Sequence, residues 1–149
     1  MSSISKAINE QPILLANYYF SEQLILRAAL ETQGYAHVLS THNGESAWRK
    51  ILAATPSLVV CDLDLALLSG CELMEMCWNA LGEMRMPFIL LLPEQDAGSR
   101  HATIAYGDCY TLAKPYTIAQ FLTTVHRALY GLKNVPGRTQ DVFTVPSRD

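Results

Sequence analysis

Long hydrophobic runs are missing from this 149-residue chain. The longest, Phe88 to Leu92, falls far short of the roughly 20 residues a membrane-spanning helix needs. The first stretch, Met1 to Gln11, is short and polar and lacks the apolar centre of a signal peptide. No run of Lys or Arg reads as a phosphate-binding patch, and the net charge is -3, so nucleic-acid binding by this chain is not expected. The four cysteines, Cys61, Cys71, Cys77 and Cys109, form no CxxC pair, and no His lies at ligand spacing from them. That argues against a zinc site and for reduced thiols packed as small hydrophobes in a cytoplasmic protein. His37, His42, His101 and His126 are scattered and read as surface residues. No Ser–His–Asp or Cys–His arrangement supports nucleophilic catalysis, so the chain is not expected to be an enzyme. Repeats and low-complexity segments are also absent.

What is present is a hydrophobic half, enough for a real core in one domain. Short apolar runs alternate with amphipathic segments. Pro12–Ala16 reads as a strand. Ser21–Gln33 reads as a helix with Leu24 and Ala28 inward, stopped by Gly34. Tyr35–Ser40 is a weaker strand, and Glu45–Ala54 a helix. Ser57–Cys61 is apolar almost throughout, as in a parallel strand covered on both faces. Gly70 precedes a helix over Cys71–Leu81. Phe88–Leu92 is a fourth strand, followed by a short helix from Ala97 to Tyr106 ended by Gly107. Cys109–Ala113 is a fifth strand. Thr117 opens a last helix to about Tyr130, with Gln120 completing a capping box.

Five strand–helix repeats predict a doubly wound α/β sandwich, (βα)5, around a five-stranded parallel sheet of order 2-1-3-4-5. Residues 1–10 read as an extension, 11–130 as the domain, and 131–149, with Pro136, Gly137 and Pro146, as a linker or tail. In such sheets the working site lies at the carboxyl ends of the strands. Those ends carry Asn17-Tyr18-Tyr19, Asp62-Leu63-Asp64 and Lys114-Pro115, which puts Asp62 and Lys114 across a shallow pocket. A flavin-binding protein is disfavoured, because Asn17-Tyr18-Tyr19-Phe20 is no Ser/Thr/Gly-rich phosphate loop.

The run Leu58 to Gly70, centred on Asp62, resembles the phospho-acceptor segment of response-regulator receiver domains of bacterial two-component systems. Leu112-Ala113-Lys114-Pro115-Tyr116 resembles their closing Lys-Pro-aromatic signature, and the spacing from Asp62 to Lys114 is similar to theirs. The resemblance covers about Gln11 to Leu129 and implies a flavodoxin-like fold. It implies that Asp62 is the candidate phospho-acceptor for a histidine kinase. Lys114 would contact the phosphoryl oxygens, and Pro115 would follow a cis peptide bond.

Several positions depart from the family. Asn17 and Tyr18 stand where it has an acidic pair that holds Mg²⁺. Leu92 replaces its phosphoryl-binding Ser or Thr, and Thr111 its aromatic switch. Phosphoryl transfer needs its charge neutralised, and Mg²⁺ wants carboxylate oxygens. Asp62 and Lys114 alone balance to zero. No metal or cofactor is therefore expected; if Mg²⁺ does bind, Asp62 and Asp64 are the candidates.

The expectation is an atypical receiver, a pseudo-receiver acting through protein contacts. Its partner, or a second copy, would meet the face built by the fourth and fifth strands and the helices that follow them, over Gly98–Tyr106 and Ile118–Leu129. A working receiver phosphorylated on Asp62 is one alternative. The regulatory fragment of a larger transcriptional or signalling protein is another. Membrane and nucleic-acid partners are not expected.

Overall fold

A computed structural model describes residues 11–81, 86–94 and 109–131. Five parallel strands form one sheet of order β2-β1-β3-β4-β5. The strands are β1 (Ile13–Ala16), β2 (Val38–Thr41), β3 (Leu58–Asp62), β4 (Phe88–Leu92) and β5 (Cys109–Ala113). The helices are α1 (Phe20–Thr32), α2 (Gly44–Ala54), α3 (Gly70–Leu81) and α4 (Ile118–Tyr130). The expected short helix at 97–106, Gly107, His101, the first ten residues and the tail from 132 lie outside the described residues.

The apolar runs became strands because both of their faces are covered. Every residue of β1, β3 and β4 is buried. Odd and even positions feed two separate cores. Leu14, Val59, Cys61 and Leu90 pack under α2 and α3 with Ile51, Met74 and Trp78. Ile13, Leu15, Val60 and Leu91 pack under α1 and α4 with Leu26, Leu30, Phe121 and Val125. The two helix layers thus lie on opposite faces, as parallel crossovers require.

Element ends follow local chemistry. Asn43 caps α2 by accepting from the Ser46 N–H at 2.7 Å. Thr117 and Gln120 form the reciprocal capping box at the start of α4. Ser69 and Glu72 exchange two bonds of the same kind at the start of α3, at 3.0 and 3.1 Å. The second strand begins at Val38, later than the composition suggested, and β3 extends one residue to take in Asp62.

One expectation is reversed. Leu24 is half exposed and Ala28 exposed, whereas Gln23, Leu26, Ala29 and Leu30 are buried. The reason is polar. The Gln23 amide donates to the Leu15 carbonyl at 3.2 Å and the Thr41 carbonyl at 2.8 Å. Arg27 donates to the Val38 carbonyl at 2.9 Å and to Ser40 Oγ. These bonds tie α1 to β1 and β2 with Leu26, Ala29 and Leu30 inward and Leu24 and Ala28 outward. Of the histidines, His37, His42 and His126 are exposed, as expected.

Candidate functional site

β1 and β3 are hydrogen-bonded neighbours with Ala16 beside Cys61, so Asn17 and Asp62 leave the sheet side by side. Asp62 is 3 % exposed. Its Oδ2 accepts the Tyr18 backbone N–H at 2.6 Å. Its Oδ1 lies 3.1 Å from Lys114 Nζ as an ion pair and makes no directed hydrogen bond. Lys114 reaches it from the end of β5, where Lys114 N donates to the Leu92 carbonyl at 2.9 Å and the Lys114–Pro115 peptide is cis.

The sequence reading missed Glu22. Its Oε1 sits 3.1 Å from the same Lys114 ammonium, and its Oε2 accepts the Tyr116 hydroxyl. The charged cluster is therefore two carboxylates on one ammonium, net -1 rather than the zero expected from Asp62 and Lys114 alone. The Tyr19 ring stands 5.9 Å from Lys114 Nζ, at cation–π range. A usable signal did exist. α1 and α4 cover the same face, so a first-turn acid on α1 points at the turn between β5 and α4.

These surroundings shift the titrations. Burial is the largest influence on Asp62 and raises its carboxyl above 3.8. The Tyr18 N–H and Lys114 pull it down, and Glu22 pushes it up. Burial works against the Lys114 ammonium, but Asp62 and Glu22 outweigh it and hold the group above 10.5. Tyr116 is raised, first by burial and then by Glu22. The Cys61 thiol, wholly buried, is pushed well up, first by burial and then by Asp62 beside it.

Asn17 is fully buried, and neither its Nδ2 nor its Oδ1 finds a hydrogen-bond partner among the described residues. Its main chain is engaged: N donates to the Thr41 carbonyl at 3.1 Å, and O lies 3.0 Å from His42 Nδ1. A cleft of about 460 Å³ opens over Asp62, walled by Tyr18, Tyr19, Asp64, Pro93, Glu94 and Lys114. Asp64 and Tyr18 are both exposed there.

Three predicted site residues do not line this cleft: Asn17, which is wholly buried, Leu92 and Thr111. Leu92 turns into the core with Phe88 and Leu90, on the face opposite Leu91, and Leu91 is the β4 side chain that lines the cleft. The alternation of side chains along a strand dictates this. Thr111 lies along the edge strand in a groove against α4, with Gln120, Thr123 and Arg127. Trp78 is buried, its Nε1 donating to the Met86 carbonyl at 3.0 Å.

The fold has counterparts among solved structures. The receiver domain of NtrX from Brucella abortus superposes with a TM-score of 0.70 at 19 % identity, over 79 % of this chain and 98 % of that one. A response regulator receiver domain protein from Clostridium thermocellum gives 0.71 at 19 % identity, over 80 % and 94 %. The receiver domain of a sensor histidine kinase from Pseudomonas aeruginosa, solved with a magnesium ion coordinated in its active-site cleft, gives 0.70 at 24 % identity, over 81 % and 98 %. No curated protein sequence matches the chain. The response regulator receiver domain family matches residues 20–126, which takes in every strand from β2 to β5, the cluster of Glu22, Asp62 and Lys114, and most of α4. With that match over most of its length, the chain belongs to the response regulator receiver domain family, the receiver module of two-component signalling.

Proposed function

We propose that this receiver signals by protein contact and that its Mg²⁺-dependent phosphorylation chemistry is impaired. One observation carries the reading: the Lys114 ammonium is already neutralised twice, by Asp62 and by Glu22. A phosphoryl group on Asp62 would have to compete with the Glu22 carboxylate for Lys114, the one cation at its side among the described residues.

The donor set does not suit Mg²⁺. Asn17 brings one neutral amide oxygen, and Tyr18 brings a phenol. Asp62 Oδ1, the carboxylate oxygen left free of the Tyr18 N–H, faces an ammonium at 3.1 Å, so a divalent cation there would meet fixed positive charge. Among the described residues no three acidic, His or Cys side chains converge as a metal site.

The second reading is a working acceptor phosphorylated on Asp62 by a histidine kinase. It is favoured by the open cleft, in which Asp64 and Glu94 stand in the same wall set as Asp62.

Intact-mass measurement after incubation with Mg²⁺ and acetyl phosphate separates the two readings, with Asp62→Ala and a working receiver run alongside. The expected result is no adduct on the folded protein. A phosphate adduct that disappears in Asp62→Ala would establish the second reading.

Partner contact on the face of the fourth and fifth strands is part of the same proposal. Its described portion is the groove between β5 and α4, about 390 Å³, lined by Thr111, Leu112, Ala119, Gln120, Thr123 and Arg127. No helix among the described residues is long and apolar enough to cross a membrane.

A further inference from the structure

The outward stripe of α1 has no cover among the described residues. Tyr19, Phe20, Leu24 and Ile25 form it, and Ile118 at the start of α4 continues it, with exposures from 38 % at Ile118 to 63 % at Phe20. These are five of the eight large hydrophobic side chains exposed among the described residues, gathered in one place. We propose that this face is a self-association surface, with a second copy of this chain as its occupant.

Area, shape and charge on this face argue for a second copy. Five half-bared side chains of this size leave roughly 500 Å² of apolar surface. A stable interface takes about 800 Å² from each partner, of which about 60 % is apolar, or roughly 500 Å² a side. The face also carries both halves of a fit. Phe20 and Leu24, one helical turn apart, make a ridge. Beside it Tyr19, Ile25, Pro115 and Ile118 line a cleft of about 570 Å³. A ridge and a cleft on one surface are what a two-fold, self-complementary contact requires, because each copy seats its ridge in the other's cleft. The charged groups on and beside the face are paired within the chain. Glu22 holds Lys114 at 3.1 Å, and Arg27 lies 3.9 Å from Glu31. Each carboxylate of α1 therefore meets the second copy with a cation already beside it, while the Glu22–Lys114–Asp62 cluster as a whole keeps its net charge of -1. The β5–α4 groove is a separate surface and remains open to a different protein.

Sedimentation velocity of the full chain over a hundredfold concentration range tests the proposal. Wild type is expected to run at twice the chain mass. Leu24→Glu and Ile25→Glu, each at an exposed position and checked for folding by circular dichroism, are expected to weaken association at least tenfold. Leu52→Glu, equally exposed on α2, is expected to leave it unchanged. A wild-type monomer at every concentration overturns the proposal and assigns the face to a foreign protein. A dimer that survives both α1 substitutions, or that Leu52→Glu breaks, overturns it in favour of another surface. If neither glutamate variant folds, the exposed Ser21 decides. In a Cys71→Ser background Ser21→Cys is expected to form a covalent dimer under mild oxidation and Glu45→Cys on α2 is not; failure of Ser21→Cys to cross-link overturns the proposal.

Discussion

Lys114 is a single side chain asked to satisfy two acids. Its ammonium is the only positive group that contacts Asp62 or Glu22 among the described residues, and Tyr116 adds a hydroxyl to the second of them. The consequence is visible in alkali. The folded chain holds the Lys114 and Tyr116 protons above 10.5 and 10.0, whereas the unfolded chain releases them near those values. Stability from these contacts is therefore complete below about pH 10 and is lost as pH rises through the folded values. Glu22→Gln is expected to cost about 1–2 kcal/mol at pH 8, as a partly exposed charged contact. It should also flatten the alkaline loss, since one cause of both shifts is gone. Urea midpoints at pH 8 and pH 11 for the two proteins check this. An alkaline slope as steep in Glu22→Gln as in wild type would mean that the carboxylate does not hold these protons. Asp62 and Lys114 were legible in the sequence because each sits at a strand end in a recognisable run. Glu22 was not, because a glutamate in the first turn of a helix looks like ordinary N-terminal charge.

At the scale of elements, close backbone approach decides more than propensity. A Cβ on Gly70 would lie 2.6 Å from the Asp62 carbonyl oxygen and 3.1 Å from Leu90 Cδ2. The start of α3 is thus pressed against the end of β3, under the candidate acceptor. Gly70→Ala is expected to destabilise by about 3 kcal/mol, through overpacking against a backbone that cannot yield. Thermal or urea unfolding reads this directly, and a cost under about 0.5 kcal/mol would show that the helix simply shifts. Gly44 has the same role against Leu68, where a Cβ would meet the carbonyl oxygen at 2.3 Å. The sequence marks Gly70 as a helix opener but says nothing of what it touches. The capping box at Thr117 was readable from spacing alone. The matching Ser69–Glu72 pair had the same spacing and went unread. The facing of α1 misled for a physical reason: it carries apolar residues on two sides, and hydrophobic periodicity cannot choose between them. Gln23 and Arg27 choose, by bonding carbonyls of β1 and β2: Gln23 those of Leu15 and Thr41, Arg27 that of Val38.

The whole molecule joins a sheet to two surfaces that do not share a chemistry. The Asp62 cleft is open and charged, while the α1 face is apolar and exposed. Self-association through α1 is then independent of phosphate. Adding Mg²⁺ and acetyl phosphate is expected to leave the sedimentation of the full chain unchanged, and a shift larger than that of an Asp62→Ala control would link the two. The sequence by itself determined the strand–helix order, and with it the parallel sheet and the meeting of Asp62 with Lys114 at its carboxyl edge. Those follow from apolar runs too short for anything but strands and from the crossover that parallel strands demand. Only the tertiary structure decided which side of α1 faces water, which β4 side chain lines the cleft, and that Lys114 answers to Glu22 as well as Asp62. The first and last depend on residues far apart in the chain coming within a hydrogen bond of one another, which no local pattern encodes; alternation separates Leu91 from Leu92 but does not say which of the two meets the cleft.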